Sequence, residues 1–288
     1  MWSDTAWAKI LKETYGWTSE KVEGVLLFHL KNGLEMNPLG DYVEAPKPAF
    51  FKKAKASLRV DSPMEEVPGQ IYVEQHLETY RLAVNEPFAD LLKKRVHQKT
   101  RNLITKSQKM GVETKIMNDE ESLKIYYKLY VPTMLKLGAI PQSFKLFESM
   151  WKHFGEGRMK IFISSKDGKV LSGILTLLDN KQKRLHIWSN AQSAAARPYS
   201  ANMATYAAVL DYACKKKEID EVDFGNTAAE TSLAFFKSRF GAKKVPVWTV
   251  SPQPFKARKI PAWPVKALRF LPHFLLSPLM RLVFKTLR

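Results

Sequence analysis

The stretch VDFGNTAAETSLAFFKSRFGAKKVPVW, Val222–Trp248, decides the fold. It compresses a strand end, Gly225, a short amphipathic helix with a Phe-Phe-Lys step, Gly241 and a second strand into one unit. Leu233, Phe236 and Phe240 recur on one helical stripe, which predicts a helix packed on a sheet. Lys237 is one residue round from Phe236, at the edge of that stripe. Gly241 stands where a left-handed residue ends a helix.

The segments before it read as a series. RMKIFISSK (158–166), KVLSGILTLLD (169–179) and KRLHIWSN (183–190) are strands joined at DGK (167–169) and DNKQK (179–183), both hairpin turns. SANMATYAAVLDYACKK (200–216) is a helix and IDEVDFG (219–225) a strand. Further upstream, EPFADLLKKRVHQKTRNLITKSQKMG (86–111) reads as one long helix, with Pro87 in its first turn and Gly111 just past its end. VETKIM (112–117) is a strand. NDEESLKIYYKLYVPTMLKLG (118–138) is a helix with Asn118 as N-cap, Gly138 at its close and Pro132 as a kink site. SFKLFESMWKHFG (143–155) is another helix. Residues before 86 are poorly patterned: a helix near the start, strands at VEGVLLFHL (22–30) and ETYRLAVN (78–85), and a Pro-rich crossing between them. Antiparallel hairpins followed by a β-α-β crossover predict an α/β (α+β) fold, a mixed sheet with helices on both faces.

Composition sets the frame for function. The chain has 288 residues, 45% of them hydrophobic, and a net charge of +18. That charge predicts attraction to polyanions such as RNA, anionic lipid or phosphate-bearing substrates. It is uneven: no acidic residue follows Glu230, and 91–112 is a second acid-free basic block. Cys214, the single cysteine, excludes an intrachain disulfide and fits a reducing compartment. The N-terminus lacks the basic and apolar regions of a signal peptide. No segment reaches the roughly 20 apolar residues of a membrane span. The six histidines show no ligand spacing, so no metal site is expected.

Four segments together resemble the GNAT acyltransferase fold, and within it the Fem-type (FemABX) family of aminoacyl and peptidyl transferases and their envelope- or exopolysaccharide-associated acetyltransferase relatives. KTRNLITKSQKMGVE is similar to that family's basic helix leading into a Gly-Val strand. YKLYVPTMLKLGAIPQSFKLFESMW is similar to its helix pair with a Gly-x-x-Pro turn. ANMATYAAVLDYACKK is similar to its Asn-led helix. DFGNTAAETSLAFFKSRFGA is similar to its Asp-Phe-Gly strand end and Phe-Lys-x-x-Phe-Gly helix. The resemblance covers roughly Arg81 to Trp248. It implies a mostly antiparallel sheet in a transferase domain at 87–250, preceded by a degenerate, shortened GNAT-like half at 1–86 and followed by a basic tail at 251–288.

The resemblance also implies site residues. Lys237, beside Phe236, supplies positive charge to the donor's phosphate or to the developing oxyanion; the alternative is a solvated lysine favoured by the helix dipole. Asp223 is either a general base or an acceptor for nearby backbone. Arg197 and Tyr199 reach a phosphate, with Asn202 and Trp188 as further substrate contacts. Ser200 or Asn202 alternatively caps the helix. The segment RPYSANM has no glycine where CoA-dependent GNAT enzymes carry a Gly-rich pyrophosphate loop. Arg101 and Lys106 on the basic helix, with Arg95, Lys99 and Asn102 at helical spacing, bind a phosphate backbone or diphosphate, or form a solvated face. Cys214 lies on an apolar stripe and reads as a buried structural thiol.

In the tail, Lys266, Arg269, Arg281 and Lys285 flank an apolar side that includes Trp263 and Phe274. This is the pattern of a helix lying in the plane of an anionic membrane; the alternative is packing on the protein body. The expected protein is therefore an acyltransferase, peripheral at the cytoplasmic face of the membrane. It binds no resident cofactor and takes its acyl group from aminoacyl-tRNA or acetyl-CoA. Its acceptor is the amine or hydroxyl of a phosphate-bearing envelope precursor, peptide or polysaccharide. A CoA-dependent N-acetyltransferase acting on a sugar or small amine, and a non-catalytic adaptor binding RNA or membrane, are the competing readings.

Overall fold

The computed structural model describes residues 5–30, 33–35, 50, 53, 56–62, 72–117, 119–251 and 273–287. Eleven strands form one sheet: β1 (Ser19–Val22), β2 (Val25–Leu30), β3 (Gly33–Glu35), β4 (Ala56–Val60), β5 (Tyr72–Ala83), β6 (Glu113–Met117), β7 (Met159–Lys166), β8 (Lys169–Asp179), β9 (Arg184–Gln192), β10 (Glu221–Ala228) and β11 (Lys243–Ser251). Their order is β1-β2-β3-β4-β11-β5-β10-β9-β8-β7-β6. Among the described strands only β3/β4 and β9/β10 are parallel, so the sheet is mixed and mostly antiparallel, as expected.

The helices are α1 (Thr5–Tyr15), α2 (Phe88–Lys94), α3 (Gln98–Lys109), α4 (Glu120–Lys136), α5 (Phe144–Arg158), α6 (Ala201–Cys214), α7 (Ser232–Ser238) and α8 (His273–Leu287). They cover both faces. On one face Leu91, Ile104, Tyr206, Leu210, Phe224 and Phe240 join α2, α3, α6 and α7 to the strands. On the other, Trp7, Ile10, Tyr126, Phe147, Leu276 and Met280 join α1, α4, α5 and α8. The sheet crosses residue 86: β5 lies between β10 and β11, which makes a strand from the N-terminal third central to the whole.

Several elements differ from the sequence reading. The long helix over 86–111 is two helices, because His97 takes an extended ψ of 141° and its Nδ1 accepts the Lys99 N–H at 3.2 Å, starting α3 afresh. The break brings Leu91, Val96 and Ile104 to one core. The N-terminal strand is a hairpin, turned at Glu23 and Gly24, both with positive φ. Asp119, not Asn118, caps α4, in a reciprocal pair with Ser122; Asn118 itself lies outside the described residues. Pro132 remains inside α4. On α7 the inward residues are Ala234 and Lys237, while Leu233 is 46% exposed, so the apolar stripe expected there is rolled toward Phe236 and Phe240.

Candidate active site

The two parallel strands at the sheet centre touch only briefly. β10 pairs with β9 over Glu221–Asp223 and Arg184–His186. Beyond that point β9 stays with β8 and β10 stays with β5, so the pair opens. Each strand carries an extra residue there. On β9 it is Trp188, where the register against β8 shifts between Leu175 and Thr176. On β10 the shift falls between Asp223 and Asn226. Bulges bend strands and end pairing, which is what parts these two. Gly225 has φ +77, and a Cβ on it would stand 3.3 Å from the Ile187 carbonyl oxygen. Both facts favour glycine.

Side chains hold this bulge from two sides. Asp223 is fully buried. Its Oδ1 accepts from the Gly225 N–H and the Thr79 hydroxyl, each at 2.7 Å, and its Oδ2 accepts from Arg81 Nε at 3.2 Å. Those bonds match the backbone-acceptor alternative considered for it and make it an anchor for the bulge. From the other side Lys237 Nζ donates to the carbonyls of Gly225 at 2.6 Å and Asn226 at 3.1 Å. It is 3% exposed, which excludes the solvated-lysine alternative. Burial lowers its pKa to about 8, against the raising effect of the Asp223 and Glu78 charges. An ammonium has three donors, and the third has no partner among the described residues.

The remaining expected site residues divide. Phe236 is half-buried in an aromatic cluster, 5.1 Å from the Tyr206 ring and 5.3 Å from Phe240, so it fixes α7 in place. Trp188 stands half-buried at the β9 bulge, edge-on to Phe147 at 5.6 Å. Asn202 turns inward: its Oδ1 accepts from Asn190 Nδ2 at 2.7 Å and from the Ser172 hydroxyl at 3.1 Å, tying the start of α6 to β8 and β9. Neither it nor Ser200, whose φ is +53, makes a side-chain cap on α6. Arg197 is exposed at that helix start, and Tyr199 lies beneath the Lys166 ammonium at 5.9 Å.

Arg101 has a structural task. Its Nη1 donates to the carbonyls of Val96 at 2.5 Å, Lys93 at 3.4 Å and Leu92 at 3.5 Å, which closes the end of α2. Arg95, exposed, pairs with Glu86 at 2.6 Å; Lys99 and Lys106 are exposed cations of the expected series with no ion pair among the described residues. The Cys214 thiol is pushed up to about 11 by burial and packs against the core. Arg281 is exposed on α8 yet donates through Nε to the Thr14 carbonyl at 2.7 Å, at the end of α1. Trp263, Lys266 and Arg269 lie outside the described residues, as do the side chains of Phe274 and Lys285.

Sequence reasoning read the second half of β5 as a strand but gave none of its residues except the edge of the resemblance at Arg81 a place near the site. Glu78 and Tyr80 face α7; Thr79 and Arg81 face the Asp223 side. The available signal was an unbroken polar run, Glu78–Arg81, inside a strand that later proves central. Arg81 also pairs with Asp61 beyond β4, linking the N-terminal third to the bulge.

A mixed sheet whose central parallel strands part around a buried ammonium has the architecture of a GNAT-type acyltransferase. The acetyltransferase (GNAT) domain model matches residues 93–237, just over half the chain, and the chain belongs to that family. The match begins in α2 and ends on Lys237. Among solved structures, FemX superposes with a TM-score of 0.66 at 14% identity, over 85% of this chain and 90% of that one. The C-terminal domain of a putative lysylphosphatidylglycerol synthetase from Agrobacterium fabrum gives 0.62 at 12% identity, over 92% and 90%. L-PGS from Bacillus licheniformis gives 0.59 at 10%, over 95% and 92%. Comparison with curated proteins by sequence finds no match. The fold is thus the Fem-type form of the GNAT architecture.

Proposed function

We propose that this chain transfers an aminoacyl or acyl group from an activated ester to an amine or hydroxyl of an envelope component. The observation that carries the reading is Lys237: a buried ammonium fastened to two carbonyls at the parting of β9 and β10, with one donor unused among the described residues. In acyl transfer the nucleophile attacks the ester carbonyl, a C–N or C–O bond forms, and the oxygen or sulfur of the donor leaves with a proton. Negative charge gathers on the carbonyl oxygen in between. A cation fixed in a partly dry site stabilises that charge, or a donor phosphate, more strongly than one in water. FemX and a lysylphosphatidylglycerol synthetase domain among the structural relatives support an aminoacyl group as the cargo. Exposed Arg197, Lys99 and Lys106, in a chain of net charge +18, suit a polyanionic donor such as aminoacyl-tRNA. The inward turn of Asn202 and the lack of glycine at the start of α6 disfavour CoA.

The test is mass spectrometry of envelope extracts incubated with the purified chain and either aminoacyl-tRNA or acetyl-CoA. A mass increment that depends on aminoacyl-tRNA, and that falls on the order of 100-fold in Lys237→Ala, is the expected result. An increment that depends on acetyl-CoA assigns the competing donor. No increment with either donor, or equal increments with and without Lys237, removes the reading.

A further inference from the structure

A shallow, open cavity of about 350 Å³ lies on the flank of α7 away from β10, lined by Glu78 and Tyr80 of β5, Lys244 of β11, and Glu230, Ala234 and Phe235 around α7. That volume lies within the ordinary range for small-ligand sites. Its floor is chemically specific. Glu78 is buried, and its Oε1 accepts from the Tyr80 hydroxyl at 2.6 Å. Its Oε2 makes no hydrogen bond among the described residues; its one ion pair there is with Lys244 Nζ at 3.6 Å, and its charge is felt at longer range by Lys237. That distance is too long for a hydrogen bond, and Lys244 is 64% exposed, so solvent screens much of the attraction. Oε2 keeps contact with solvent through the cavity, and no cation among the described residues bonds it closely.

We propose that this cavity is a binding site for an organic ammonium group, which takes the position of Lys244 against Glu78. The ligand's N–H bonds to Oε2 complete the carboxylate. Glu230 at the rim adds a second negative charge. Phe235, 65% exposed with the Arg239 guanidinium 5.6 Å over its ring, gives an apolar wall for the carbons behind the ammonium. A chain of such positive charge repels cations at long range, so a buried carboxylate is the element that makes cation binding local and selective. The assignment stands on the cavity and does not require the transferase reading. Where that reading holds, the ammonium belongs either to a side chain of the acceptor or to the α-amino group of an aminoacyl donor.

The experiment is calorimetric titration of the full chain with Nα-acetyl-L-lysine methylamide, against its uncharged norleucine counterpart. The lysine probe is expected to bind on the order of tenfold tighter or more, and Glu78→Gln to erase that preference. Lys244→Met removes the competing cation and is expected to tighten lysine-probe binding several-fold. Equal affinity for the two probes overturns the proposal, as does indifference to both substitutions. If Glu78→Gln fails to fold, Lys244→Met decides alone, since that side chain is largely in solvent; unchanged or weaker binding there overturns it. L-Alaninamide separates the sources: tighter binding than the lysine probe assigns the site to the donor's α-ammonium, weaker binding to the acceptor. Probe binding that persists in a chain without transferase activity sinks the transferase reading and leaves this site standing.

Discussion

Lys237 has its pKa lowered from 10.5 to about 8, and the direction has two consequences. The native chain binds fewer protons at this position than the unfolded chain between pH 8 and 10.5, so its contribution to stability rises with pH across that window. The buried charge costs on the order of 3 kcal/mol below it. The stability difference between wild type and Lys237→Met, measured by urea unfolding, is therefore expected to shift in favour of wild type as pH rises from 8 to 10.5; a flat difference contradicts the assignment. If the ammonium serves transfer, the rate falls as pH rises through about 8, whereas a base would give the opposite limb. Asp223→Asn removes a charge that raises the Lys237 pKa and breaks its pairing with Arg81. The rate limb is expected to move below pH 8, and stability to drop by about 3–5 kcal/mol. A pH profile that keeps its midpoint would show that Asp223 does not act through Lys237. The Phe-Lys step made Lys237 legible in the sequence. Its depth was not legible, because spacing fixes a residue's place on a helix and not how that helix is rolled on the sheet.

At the scale of elements, the site is built by junctions more than by the elements themselves. Gly241 ends α7 with φ +81, and a Cβ there would stand 2.6 Å from the Arg95 carbonyl oxygen. The neighbouring Arg239 carbonyl accepts from His97 N–H at 2.9 Å. The turn after α7 therefore locks into the break between α2 and α3, and that lock sets where α7 delivers Lys237. Gly241→Ala is expected to cost about 2 kcal/mol or more, from left-handed strain plus the clash with backbone. Chemical denaturation checks it; a neutral result would mean that the break yields freely. The hairpins, α6 and the β10–α7–β11 unit were readable because periodicity, turn glycines and caps agree there. The α2/α3 break was not, since nothing in 86–111 departs from helical spacing and the interruption depends on Arg101 gathering carbonyls from the preceding turn. The bulges at Trp188 and Gly225 were likewise hidden: each is defined by register against a neighbouring strand.

At the scale of the whole molecule, the tail ties the ends of the chain together. Leu276 and Met280 of α8 enter the core shared by α1 and α5, and Arg281 holds the last carbonyls of α1. Sequence showed the amphipathic pattern of this helix, but an apolar stripe satisfies a membrane and a protein core equally well; the pattern does not name its partner. Among the described side chains of α8, Leu276 and Met280 are spent on the protein, and Leu282 stands outside at 57% exposure. No described helix is long and apolar enough to cross a membrane. With α8 docked in this way, attachment of this chain to anionic vesicles is expected to draw on charge, from exposed lysines such as Lys99 and Lys106 acting over a screening length of about 8 Å at physiological salt. Co-sedimentation with phosphatidylglycerol vesicles is expected to fall steeply as salt is raised, and to be absent for phosphatidylcholine vesicles. Binding that survives molar salt would mean that apolar insertion dominates, and that α8 leaves its place against α1 and α5 to supply it.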